Sequence, residues 1–148
     1  MRIAVLVAVA GCWRGGGEVP AAEEPAAVTV APVKAGPYRD VGGRWIGVGI
    51  QYDTQSEWDV VMKLHRDAPI GGRIGTIEYP SLPCRADLIR DGEEGDVLVM
   101  TEKITDGVDK CVDGGKIRIP RKPGSRLDWR WFFPSGEEGA KASLERMR

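Results

Sequence analysis

The chain predicts an all-β domain of about eight antiparallel strands in a meander that closes as a barrel. Three observations carry this. From about Val41 onward, Trp, Ile, Val and Leu alternate with charged residues, the period-2 pattern of strands with one buried face. Gly, Asp and Pro punctuate the pattern at short intervals, as tight turns require. No helical period is sustained before the C-terminal stretch. Eight short strands with tight connections close into a barrel just wide enough to fill with side chains or to hold one small ligand. Closure also removes the edges along which sheets aggregate. A two-sheet sandwich is the alternative packing of the same strands.

A first strand is expected over 43–52, opening on Gly43-Arg44-Trp45. The second, 57–66, is one of three that are clear by alternation: Trp58, Val60, Met62 and Leu64 share a face, with Asp59, Lys63 and His65 on the other. Asp67-Ala68-Pro69 turns the chain into a third strand at 71–79 and a fourth at 84–90. Asp91-Gly92-Glu93-Glu94-Gly95 reads as the next turn, before a fifth strand at 95–104 in which Leu98, Met100 and Ile104 oppose Val97 and Val99. Asp113-Gly114-Gly115 breaks the run near the start of a sixth strand at 112–120. Lys122-Pro123-Gly124 leads to a seventh at 125–133, where Leu127, Trp129 and Trp131 alternate with Asp128 and Arg130. After Pro134-Ser135-Gly136, Glu137 to Met147 has the alanines and charges of a helix, but Ala142, Leu144 and Arg146 alternate, so an eighth strand is expected at 139–147.

The N-terminus speaks to location. Arg2 precedes an apolar run, Ile3 to Ala10, that ends on small residues, the layout of a secretory signal. The run is too short for a spanning helix. Val9-Ala10-Gly11-Cys12 resembles the bacterial lipobox, in which the cysteine is acylated (palmitate among its chains) and becomes the first mature residue. That resemblance implies a signal peptide over 1–11 and a lipoprotein anchored to the membrane through Cys12, outside the cytoplasm. Trp13 in the next position leans toward an outer membrane where the cell envelope has one. The alternative is that residues 1–12 form a buried first strand, but the neighbouring segment does not continue a fold. Residues 13–36 are rich in Gly, Pro, Ala and Glu without periodicity, a composition that cannot bury enough apolar surface to offset its ordering entropy. A flexible linker over 12–40 and a barrel domain over 41–148 are therefore expected.

Composition bounds the partners. The formal charge is −1, and −2 once Arg2 leaves with the signal. Phosphate binding needs clustered Lys and Arg. The longest cationic cluster, Arg118 to Arg126, reads as a solvated hairpin tip, so nucleic acid is not expected as a partner. With Cys12 assigned to lipid, Cys84 and Cys111 remain as a pair, which an oxidising compartment would join. If the fourth and fifth strands form a hairpin, Cys84 and the connection carrying Cys111 lie at the same end. Two buried free thiols are the alternative.

Two resemblances bear on the domain. Gly43-Arg44-Trp45 on the first strand, with Arg146 near the end of the last, is similar to the lipocalin and wider calycin barrels, where an arginine from the final strand covers such a tryptophan. The chain is shorter than a lipocalin and lacks its C-terminal helix, so a large ligand cavity is not implied. The segments Tyr79 to Cys84, Thr101 to Thr105, Cys111 to Gly115 and Leu127 to Trp131 resemble a small secreted domain of actinobacterial and myxobacterial proteins, which comes after a kinase or a tether in some of them. That resemblance implies architecture and location, and no activity.

Reaction chemistry is sparse. His65 is the single histidine and falls on a polar face, which leaves no nucleophile–histidine constellation. Asp106, Asp109 and Asp113 lack calcium-loop spacing and read as turn formers. Gly42-Gly43 and Gly71-Gly72 lack a phosphate-loop lysine. No catalytic residue, metal or cofactor is expected. Glu102 stands out because alternation puts it on the face of Leu98, Met100 and Ile104. If that face points inward, the buried carboxylate needs a partner, and Arg146 or Arg130 could supply one; otherwise Glu102 anchors the floor of a ligand pocket. Trp45, Trp58, Trp129 and Trp131 admit core and ligand-binding roles alike. With Glu102 and Arg146 they form the candidate ligand-binding set. The expectation is a lipid-anchored binding module for a small apolar ligand or an envelope protein. An envelope inhibitor of a protease or lysozyme, presenting the loop Pro80 to Pro83, is the alternative.

Overall fold

The computed structural model describes residues 40–148, so the expectations for the signal, Cys12 and the linker lie outside the described residues. Eight strands run in chain order: β1 (Gly43–Gln51), β2 (Glu57–Leu64), β3 (Arg73–Tyr79), β4 (Cys84–Glu94), β5 (Val97–Asp106), β6 (Lys116–Pro120), β7 (Arg126–Phe132) and β8 (Glu138–Arg146). Each pairs antiparallel with the next, and β8 pairs with β1, which closes the barrel. The sandwich alternative is excluded by that last ladder, which runs from Trp45 opposite Arg146 to Gln51 opposite Ala140.

Alternation decides what points inward. Val60, Met62 and Leu64 on β2, Leu98 and Met100 on β5, Ile117 and Ile119 on β6, and Leu127 and Trp129 on β7 are all buried. They meet as one core. The C-terminal stretch is strand rather than helix because Ala140, Ala142 and Leu144 drop into that core at every second position, a spacing that only an extended chain provides.

Two boundaries differ from the sequence reading by four residues, the rest by no more than two. The fourth strand does not end at Arg90 but runs to Glu94, and the turn expected at Asp91 to Gly95 narrows to Gly95-Asp96. The register shifts between Arg90 and Gly92, and Gly92 has φ of 145°. It is a β-bulge, whose residues look like a turn in sequence because both need an unusual backbone conformation. The sixth strand begins at Lys116 rather than at residue 112. Residues 107–115 instead form a loop that folds back on β5 and stands in for its missing neighbour: the Glu102 N–H donates to the Gly115 carbonyl at 2.8 Å, and the Gly114 N–H donates to the Glu102 carbonyl at 3.0 Å.

The barrel has two unlike ends. At the end where β1 starts and β8 finishes, Trp45 is fully buried and its indole Nε1 donates to the Val41 carbonyl at 2.8 Å. The Arg146 guanidinium lies 4.6 Å from the Trp45 ring centroid and donates to the carbonyls of Gly42 and Asp40. Together the guanidinium and the indole plug that end. The opposite end carries the β1–β2, β3–β4, β5–β6 and β7–β8 connections, and there Cys84 and Cys111 are joined in a disulfide.

Candidate functional site

At the disulfide end the core does not reach the rim. A half-open cavity of about 130 Å³ lies there, walled by Trp58, Tyr79, Trp129, Trp131 and Phe133, with Glu102 among its lining residues. An apolar cavity of roughly 150 Å³ accommodates a benzene-sized molecule, so this one suits a ligand of a few heavy atoms. Leu82, Lys110 and Val112 border it and are exposed.

Glu102 is the one buried charged or polar residue among the described residues, 2 % exposed. Its place follows from alternation on β5: Leu98, Met100, Glu102 and Ile104 all face inward, and Glu102 is the position in that row nearest the cavity. The Trp131 indole N–H donates to Oε2 at 2.8 Å, whereas Oε1 has no hydrogen-bond partner among the described residues. The Tyr79 phenol approaches the carboxylate and favours its ionised form, without reaching hydrogen-bond geometry at Oε1. Neither arginine expected to pair with Glu102 does so. Arg146 caps the far end of the barrel, and Arg130, on the outer face of β7, pairs with Glu138 at 3.3 Å. The ion-pair expectation is corrected to an indole and a phenol, because cross-barrel contacts bring β7 and β3 side chains to Glu102 while alternation turns Arg130 outward.

Burial pushes the Glu102 carboxyl from 4.5 up to about 6; the Tyr79 and Trp131 donors oppose the rise, and the nearby Asp113 carboxylate adds to it. An acid whose pKa is higher in the folded state than in the unfolded one stabilises folding less once it ionises. Its contribution is whole below 4.5 and is lost as pH rises through about 6. This group alone is expected to lower stability by about 2 kcal/mol between acid and neutral pH. Glu102→Gln should flatten that slope, measured as the urea midpoint across the pH range. The Tyr79 phenol, buried beside Glu102, is held well above its ordinary value and stays protonated.

Two residues of the site carry no sequence signal beyond their smallness. A Cβ at Gly115 would lie 2.3 Å from Trp131 Nε1, and one at Gly139 would lie 2.8 Å from Trp131 Cζ3. The indole that holds Glu102 is thus seated on two glycines. Gly115→Ala is expected to push the indole off the carboxylate and to cost about 1–3 kcal/mol through the broken buried hydrogen bond. Loss of the downfield Trp131 indole N–H resonance, together with the stability change, would report it.

The ligand-binding set of the sequence reading therefore divides. Trp58, Glu102, Trp129 and Trp131 meet around the cavity, while Trp45 and Arg146 stack on each other at the plugged end and touch no part of it. Trp129 Nε1, like Glu102 Oε1, is buried without a hydrogen-bond partner among the described residues. His65 is exposed just beyond β2, at the plugged end. Asp113 accepts from the Ile104 N–H at 2.7 Å, a turn-forming role. Among the described residues no three His, Cys, Asp or Glu side chains converge as a metal site would require. Comparison of the chain with protein-family models, with curated proteins and with solved structures found no match.

Proposed function

We propose that the protein is an extracytoplasmic binding module, tethered to the cell envelope through lipid on Cys12, whose barrel mouth holds a small ligand without transforming it. One observation carries this reading: an aromatic-walled, half-open cavity has among its lining residues a buried glutamate with one carboxylate oxygen unpartnered among the described residues. Small-molecule sites are concave and largely apolar with a few placed polar groups, and buried polar atoms without partners are rare in a purely structural core. The filled core below the cavity limits the ligand to a small one. The Cys84–Cys111 bridge supports an oxidising compartment, as the signal-like N-terminus does.

Native mass spectrometry of the protein extracted gently from its own membranes, repeated after denaturation, tests the binding reading. A discrete mass lost on denaturation is the expected result, and a bare domain under both conditions overturns it. The anchor is tested separately by Cys12→Ala, which should release the chain from the membrane fraction and remove the lipid mass. Retention in the membrane with lipid intact would refute the lipoprotein assignment.

A second reading, docking of an envelope protein or inhibition of an envelope protease or lysozyme, is favoured by the β3–β4 loop. Ser81 Oγ accepts from the Asp59 N–H at 2.9 Å, the disulfide holds the loop's end at Cys84, and Leu82 at its tip is exposed. Under that reading, replacing Pro80 and Pro83 removes inhibition and spares stability.

A further inference from the structure

The cavity at the barrel mouth joins two features that select a particular ligand chemistry. Its walls are aromatic: Trp58, Trp129 and Trp131 with Tyr79 and Phe133. Among the described residues its one buried charged side chain is Glu102, 2 % exposed, with Oε1 unpartnered there and Oε2 already taken by Trp131. Aromatic rings attract cations through their quadrupoles, more strongly where water is excluded, and a carboxylate oxygen in such surroundings takes a charge-assisted hydrogen bond from an N–H cation. We propose that the cavity is a binding site for a small organic ammonium ion, its N–H on Glu102 Oε1 and its alkyl part against the tryptophans. The proposal rests on the binding-module reading and deepens it: the ligand is a cation with an apolar body rather than a purely apolar molecule.

The surrounding groups agree with a positive guest. From β3 the Tyr79 phenol, and from β7 the Trp131 indole, present neutral donors to the carboxylate. From the β5–β6 loop, Asp113 adds a second negative charge in its field. Among the described residues, Lys110 is the one cation lining the cavity, and it is exposed at the rim. It forms no ion pair with Glu102 within the described structure, so the carboxylate is not neutralised from within the barrel. The raised carboxyl pKa, about 6, makes the site a full anion only above mildly acidic pH, and binding of an ammonium ion should weaken as Glu102 takes up its proton.

The experiment pairs a cation with its neutral counterpart. Butylammonium and 1-butanol have similar shape and differ in charge. Both are titrated calorimetrically into the full chain in amine-free buffer, at about pH 7.5 and about pH 5. Butylammonium is expected to bind at least about tenfold more tightly than 1-butanol at the higher pH. It should lose that advantage at the lower pH and in Glu102→Gln. Near-UV circular dichroism of Glu102→Gln establishes that the barrel is intact. Lys110→Met keeps the argument independent of one variant: amine affinity should stay the same or rise. Equal binding of the two probes, or an amine affinity that survives Glu102→Gln, overturns the cation assignment while leaving a binding module in place. A fall in affinity with Lys110→Met also overturns it, by making the rim lysine the holder of the guest. Failure of both probes, with a bound mass of non-amine chemistry in the native spectrum, sinks the inference but not the binding module. Failure of both with a bare domain removes the two together.

Discussion

Trp45→Ala is expected to destabilise the domain by about 3–5 kcal/mol, the usual range for deleting a large buried aromatic. The side chain is fully buried, its N–H is spent on the Val41 carbonyl, and the plugged end of the barrel is built around it. Removal leaves a cavity beneath a closed ladder that has little room to collapse, and leaves the Arg146 guanidinium over empty space. Against a total stability of about 5–15 kcal/mol for a domain of this kind, the change is severe. Urea unfolding of the wild type and of Trp45→Ala measures it. Arg146→Ala should lose far less, about 1 kcal/mol, because that side chain is largely exposed. The double variant should show a coupling of about 0.5–1 kcal/mol. The glutamate site lies at the other end, so the affinity of any ligand bound there should be unaffected in Arg146→Ala.

Opening the disulfide by Cys84→Ala with Cys111→Ala is expected to remove about 3.5 kcal/mol, the loop-closure entropy returned to the unfolded chain. The bridge spans 27 positions of sequence. A domain of this size should then melt roughly 10–15 °C lower, as differential scanning calorimetry would show. The effect extends beyond stability. Cys111 lies beside the cavity, and the loop it pins supplies the backbone partners of Glu102. Loosening it should widen the site and weaken ligand binding, a loss that dithiothreitol treatment of the wild type should reproduce. Trp45→Ala and the disulfide variant thus separate the two ends of one barrel: the first costs stability, and the second costs both stability and the site.

How legible each feature is in the sequence depends on the range over which it is set. That Leu98, Met100, Glu102 and Ile104 share one face is readable because alternation is a property of the local chain; that this face points inward is set by the closed barrel. So is the pairing of Cys84 with Cys111, once strand ends place both at one rim. The bulge at Gly92 reads as a turn because a glycine with positive φ serves either purpose, and only the partner strand distinguishes them. The partner of Glu102 escapes the sequence for a different reason. Arginines are the usual counter-charges, but Trp131 reaches the carboxylate from β7, two strands away around the barrel, over a β6 that stops short at Lys116.

By itself, then, the sequence determined the fold class, the strand count and, for its clearest strands, which residues share a face, Glu102 with Leu98, Met100 and Ile104 among them, since all of these depend on residue type and on neighbours two positions away. It also carried the signal-like and lipobox-like N-terminus on which the proposed location rests. Tertiary structure alone decided that Trp58, Trp129 and Trp131 surround a cavity at the end opposite the Trp45–Arg146 stack. It alone decided that two glycines seat an indole on Glu102 and that one oxygen is left without a partner. Those outcomes depend on how strands separated in sequence are staggered around a closed barrel, which no local pattern encodes.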